Sequence, residues 1–136
     1  MIVSPEVKSL IPDDLIKEAE KCGVERISVS SWLYAIRRLF GFWHPESKEI
    51  LIDLTKGDRL LELYQKKYPE LNVQDESEAF LILFYHEISH VKGYLNEQDA
   101  EEHGVKLFRE RRDATKKKVI ETIQEGIKEG FRTRTV

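Results

Sequence analysis

The sequence predicts an α+β domain, helices packed on a small sheet, and three observations carry that expectation. Residues 24–30 alternate at Ile27 and Val29, as a half-buried strand does. Residues 40–43 and 49–54 are two further extended runs, separated by the turn-prone His44-Pro45-Glu46-Ser47-Lys48. The second half instead shows long helical stretches with start and stop residues in their expected places. A length of 136 residues fits one domain, residues 1–136, with a single core.

Taken in order, Pro12-Asp13-Asp14 caps a helix that closes near Gly23. The strand over 24–30 follows, and residues 32–39 fit strand or helix equally. After the paired strands 40–43 and 49–54, residues 58–67 form a helix, stopped ahead of Pro69 by the restriction proline places on its predecessor. Asp75 and Glu78 have the spacing of a capping box and open a central helix over 76–92. From Phe80 to Phe84 that helix is apolar nearly all round, so it is buried on every side. Gly93 ends it in a left-handed cap. Asn96 caps another helix reaching about Arg112, a last helix covers 114–129, and residues 130–136 form a basic, flexible tail.

Composition narrows the function classes. Charged residues are 35% of the chain, against about 25% in ordinary globular proteins, which suits a heat-adapted source or a very helical surface. The net charge of −3 argues against a nucleic-acid partner. The single cysteine, Cys22, excludes an internal disulfide framework. The N-terminus lacks the pattern of a signal peptide, and the longest apolar run, 79–85, is too short for a bilayer. These readings lead to the expectation of a cytoplasmic protein without a membrane partner.

The central helix contains His86-Glu87-Ile88-Ser89-His90. Histidines four apart stand on one helix face, one turn from each other, so both imidazoles can reach one metal ion. Zinc accepts neutral imidazole and, in catalytic sites, keeps three protein ligands and one water. Glu87 is placed to take that water's proton as a general base. The bland alternative is a pair of hydrogen-bonded histidines beside a solvated Glu87, although burying both without partners would be costly.

A third ligand must come from the next helix. On a wheel begun at Asn96, Ala100, Gly104, Leu107 and Phe108 form the apolar stripe. Glu97 falls about 40° from its centre, and Glu101 and His103 lie on opposite flanks about 80° away. An acid on the inward stripe needs a charge partner, which a metal would supply; equally, acids are common in first turns because of the helix dipole.

Two segments together, His86-Glu87-Ile88-Ser89-His90-Val91 and Glu97-Gln98-Asp99-Ala100-Glu101-Glu102-His103-Gly104, resemble the gluzincin pattern HExxH followed by E-x-E-A-D-x-x-G/A. That pattern occurs in the HtpX and CaaX-prenyl-protease group, the ImmA/IrrE group and the small archaeal minigluzincins. Asp99 replaces its second Glu and Glu101 its Asp. The resemblance implies a zincin-like fold: a small sheet, a buried HExxH helix and a following glutamate-bearing helix. It also implies Zn2+ held by His86, His90 and Glu97, and a strand beside the substrate, for which residues 49–54 are the candidate. A second resemblance is to SprT-type peptidases, through His103-Gly104-Val105-Lys106-Leu107-Phe108, and would make His103 the third ligand. The metzincin pattern fits through Gly93 but meets Asn96 where its last histidine belongs.

Other residues carry weaker expectations. His44 reads as a loop residue. Tyr85 and Tyr94 flank the motif and could donate to an oxyanion, though packing explains Tyr85. Lys116-Lys117-Lys118 reads as a solvated helix face, and Arg132 and Arg134 as able to fold back over an acidic cleft. The combined expectation is a small zinc peptidase hydrolysing a peptide or protein substrate, with Glu87 as general base. The alternatives are a SprT-like protease acting on DNA-associated proteins and a catalytically silent, metal-stabilised interaction or regulatory domain.

Overall fold

The computed structural model describes residues 1–134, with side chains through Lys128. Four strands form one sheet in the order β1-β2-β4-β3: β1 (Ile2–Val3), β2 (Arg26–Ser30), β3 (Gly41–His44) and β4 (Glu49–Asp53). β1 pairs parallel to β2, β2 parallel to β4, and β3 antiparallel to β4. Around the sheet lie α1 (Pro5–Leu10), α2 (Asp13–Lys21), α3 (Leu33–Arg37), α4 (Gly57–Lys67), α5 (Glu76–Val91) and α6 (Glu97–Arg134). The chain is therefore mixed α and β, in agreement with the sequence.

α2, β2, β3, β4, α4 and α5 stand within a residue or two of their expected positions. The Asp75 carboxylate accepts from the Glu78 amide at 2.9 Å, while Glu78 reaches back to the amide of Gln74 at 2.7 Å, one residue short of a strict capping box. Gly93 has φ of 107°, the left-handed cap expected of it. β1 and α1 were not foreseen; two residues of strand give no periodicity to read.

The ambiguous stretch 32–39 resolves into the short α3, held by groups from elsewhere. Ser30 Oγ accepts from the amides of Trp32 and Leu33, and buried Asp53 accepts from the amide of Tyr34 at 2.9 Å. Asp53 also accepts from Thr55, so one carboxylate joins the starts of two helical turns to the end of β4. Two expectations need correction. The break near residue 113 is absent, since α6 runs unbroken from Glu97 and nothing in Arg112-Asp113-Ala114 removes a donor or forces the backbone left-handed. β4, the candidate strand beside the substrate, is flanked by β2 and β3, so its hydrogen-bonding edges are occupied. β3 is the edge strand instead.

α5 crosses the core between the sheet, α4 and α6, with residues 79 to 89 buried except Leu81. α6 packs along it closely enough that an added β-carbon on Gly104 would stand 2.8 Å from the His86 amide nitrogen. Arg109, Arg111 and Arg112 then tie α6 to Glu70, Asp14 and Glu78. No helix among the described residues is long and apolar enough to cross a membrane. The basic tail, and with it the expected action of Arg132 and Arg134 over the cleft, falls on side chains outside the described residues.

Candidate metal centre

His86 and His90 rise from one face of α5 with ring centroids 4.8 Å apart and Nε2 atoms 3.1 Å apart. Glu97, in the first turn of α6, brings one carboxylate oxygen to 3.1 Å from His86 Nε2 and the other to 2.9 Å from His90 Nε2. Gly93 and Asn96 make this possible. The left-handed glycine turns the chain back after α5, and Asn96 Oδ1 caps α6 by accepting from Gln98 at 2.7 Å and Asp99 at 3.3 Å.

The second nitrogen of each ring decides what the first can do. His90 Nδ1 lies 2.7 Å from the carbonyl oxygen of Tyr94, which can only accept, so Nδ1 carries the hydrogen. His86 Nδ1 faces Glu101 Oε1 at 3.3 Å and donates to it in the same way. In neutral rings both Nε2 lone pairs then face each other and the Glu97 carboxylate. Three acceptors at such distances repel unless a cation or a proton lies among them. Tetrahedral zinc, with ligands near 2.1 Å, would set its donor atoms about 3.4 Å apart, close to this spacing. The donor set, two imidazoles and a carboxylate, is one that catalytic zinc sites use.

A proton placed among them would relieve the same repulsion. Burial alone would lower the pKa of His86, but the hydrogen bond to Glu101 and the charges of Glu87, Glu101 and Glu97 outweigh it and raise it. Glu101 is the counterpart: burial would raise it, yet its bonds to His86 and Lys67 hold it below the ordinary carboxylate value. Lys67 Nζ sits 2.9 Å from the second oxygen of Glu101, so the chain Lys67, Glu101, His86 orients the ring.

Glu87 points into the cleft from beneath. Its Oε1 is 4.0 Å from His86 Nε2, its Oε2 has no hydrogen-bond partner, and only 4% of the side chain is exposed. Burial pushes its pKa up to about 8, against the pull of His86 and helped by Glu97 and Glu101. Donor atoms of His86, Glu87 and His90 all lie within 4.8 Å of one another. Glu97 approaches both Nε2 atoms more closely than Glu87 does, which suits Glu97 to a ligand's place and Glu87 to a base's.

The cleft above these groups has a volume of about 520 Å³ and apolar walls that include Phe40, Trp43, Leu60 and Leu83. β3 forms one side. A side chain on Gly41 would begin 3.3 Å from Glu87 Cγ and Leu83 Cδ1, so the edge strand runs directly over Glu87. The outer side is open, and the Glu97 side chain is 81% exposed there.

The other candidates are placed elsewhere. His103 stacks on Tyr94 at 4.2 Å, and its Nδ1 meets Ser89 Oγ at 2.8 Å. Ser89 itself donates to the Tyr85 carbonyl oxygen, so His103 donates to Ser89 and is held away from the two Nε2 atoms. Asn96 is engaged in its cap, and His44 Nδ1 accepts from Ser47 within its turn. Neither Tyr85 nor Tyr94 lines the cleft; the phenol that does is Tyr64 of α4, buried but for 3%. Sequence reasoning missed Tyr64 and Lys67 because nothing local marks α4 as a neighbour of α6. Glu101 was visible only as a flank residue, although its place one turn after Glu97 is what an orienting carboxylate requires. Comparison with family models, curated proteins and solved structures returns no match.

Proposed function

We propose that this protein is a zinc-dependent peptidase in which His86, His90 and Glu97 hold the metal and Glu87 is the general base. The observation that carries the reading is the convergence of the two Nε2 atoms and both oxygens of the Glu97 carboxylate, at 2.9–3.1 Å, while both Nδ1 atoms are committed to other partners. The combination of a buried motif helix, a returning glutamate helix and an edge strand over the base further supports the zincin-like, gluzincin-type resemblance.

Bound zinc would supply Lewis acidity to a water and to the substrate carbonyl. Glu101 and the Tyr94 carbonyl hold the two Nδ1 hydrogens, which keeps both Nε2 lone pairs available for the metal. Glu87 takes a proton at its unpartnered carboxylate and passes it to the leaving amine. A cation close to Glu87 favours its ionised form, so metal loading prepares the base. The free edge of β3 offers an extended peptide backbone partners along the cleft, and the apolar walls accept its side chains.

The Glu97 geometry favours this reading over the SprT-like one, because His103 is turned toward Ser89. Against a silent scaffold stands the unpartnered carboxylate of Glu87, for which a purely structural site has no use. The test is Glu87→Gln. Zinc content should stay close to one per chain while cleavage of a diverse peptide library falls about 10²–10⁴-fold. A wild-type protein that holds zinc and cleaves nothing would favour the interaction domain, and one that holds no zinc would remove the metal site altogether.

A further inference from the structure

The cleft is not uniform in charge. Glu87, Glu97 and Glu101 line it, and among the described residues Arg38 is the one lysine or arginine that does. Arg38 ends α3 with φ of 57°, a left-handed conformation in which glycine is the favoured residue. An arginine there is explained by its side chain and not by its backbone. That side chain is exposed, and its guanidinium carbon lies 5.4 Å from the centre of the Tyr34 ring. The Arg59 guanidinium lies 5.7 Å from the same centre and donates to the Tyr34 hydroxyl at 3.1 Å. Neither arginine has an ion-pair partner among the described residues, so two positive charges gather at one ring with nothing to balance them. A guanidinium resting on an aromatic ring keeps its fork of N–H donors for a carboxylate.

The chain order fixes where such a carboxylate is met. Arg38 stands three residues before Gly41, which lies over Glu87, so the two are within about 10 Å along the backbone. Leu39 and Phe40, between them in the chain, also line the cleft. An extended peptide pairs most stably with the free edge of β3 when it runs antiparallel. Its chain then heads toward Arg38 as it leaves the bond above Glu87 in the C-terminal direction.

We propose that Arg38 selects the substrate by taking a carboxylate two or three residues beyond the cleaved bond, on that bond's C-terminal side. The carboxylate is either the end of the peptide or an Asp or Glu side chain, and the residues before it are apolar. This rests on the peptidase reading and adds the substrate's class to it.

Acetylated peptides of Ala, Leu and Phe, in free-acid and amidated pairs, test the proposal with the zinc-loaded full chain and mass spectrometry of the products. The free acids should be cut two or three residues from their ends, with kcat/KM about tenfold above the amides, the worth of one charge-assisted hydrogen bond. Amides carrying one Asp at that place separate the two sources: recovery makes a side-chain carboxylate sufficient, and no recovery makes the chain end the requirement. Arg38→Gly suits the left-handed backbone, should melt no lower than wild type, and should treat acid and amide alike. Arg38→Glu should reverse the preference toward amides with Lys at the same place. Binding of labelled peptides to the Glu87→Gln chain should follow the same order without turnover. Acid and amide treated alike by wild type, a preference that survives Arg38→Gly, or no reversal in Arg38→Glu overturns the proposal, even where cleavage upholds the peptidase reading. A wild type that cleaves nothing, while Glu87→Gln still prefers acids through Arg38, removes the peptidase reading and keeps the carboxylate site. A chain that neither binds nor cleaves any of these peptides overturns both.

Discussion

Glu97 and His103 both belong to α6, and their partners distinguish them. Glu97 meets both Nε2 atoms, whereas His103 meets Ser89 and the ring of Tyr94. Chelator competition should therefore show Glu97→Ala losing zinc affinity by at least about 100-fold, and His103→Ala by no more than about tenfold, the effect of a positioning contact. The reverse order would move the ligand set to the SprT-like pattern. Asp53 offers a test independent of metal. Burial would raise its pKa, but hydrogen bonds from Thr55 and the Tyr34 amide outweigh burial and hold it below the ordinary 3.8. A carboxyl depressed in the folded state contributes stability that is present above the unfolded value and lost as pH falls below it. Asp53→Ala should cost about 2 kcal/mol at pH 7 by removing the acceptor of the part-buried Tyr34 and Thr55 amides, and should flatten the acid limb of stability below pH ~4. Urea titrations at neutral and acid pH measure both.

The elements have to meet at a close crossing for those residues to converge. Gly104 is where α6 touches α5, and a β-carbon there would stand 2.8 Å from one backbone atom of His86 and 3.0 Å from another. Backbone yields less easily than a side chain, so the helices must separate. Gly104→Ala should cost about 2 kcal/mol of stability by overpacking. It should weaken zinc binding as well, because Glu97 and Glu101 are carried on the displaced helix. Thermal melts beside chelator competition check the pair of effects; a variant that binds zinc as wild type does would show that the crossing is not what sets Glu97. Legibility varied among elements for physical reasons. α5 announced itself by a cap, an apolar run and a glycine stop, all local signals. α3 did not, because Ser30 and Asp53, one before it and one far after it, supply the bonds that hold it.

For the whole molecule, metal binding and folding should be linked. The candidate ligands come from two helices, α5 and α6, so a bound ion would add a clamp to their packed crossing. Zinc at about 1,000 times its dissociation constant should add about 4 kcal/mol to stability. For a domain of this size that is a rise in melting temperature on the order of 10 °C, reversed by a chelator. Calorimetry with and without zinc decides it, and an unmoved transition would contradict a folded-state metal site.

What the sequence determined by itself was everything set within a few residues: the α+β class, the boundaries of α2, α4 and α5, and the motif of His86, Glu87 and His90 on one helix face. A helical repeat is a local property, so two histidines four apart share a face in whatever fold contains them. The wheel also brought Glu97 near the inward stripe, without separating a ligand from a first-turn acid. Only the tertiary structure decided which α6 residue reaches His86 and His90, since that depends on where the helices cross, and the crossing is set by the absence of a side chain at Gly104. It likewise gave the free edge to β3 and not β4, joined Lys67 to Glu101, and left Glu87 buried with an oxygen unpaired. These are relations between residues far apart in the chain, and their distances are fixed by packing rather than by any repeat in the sequence.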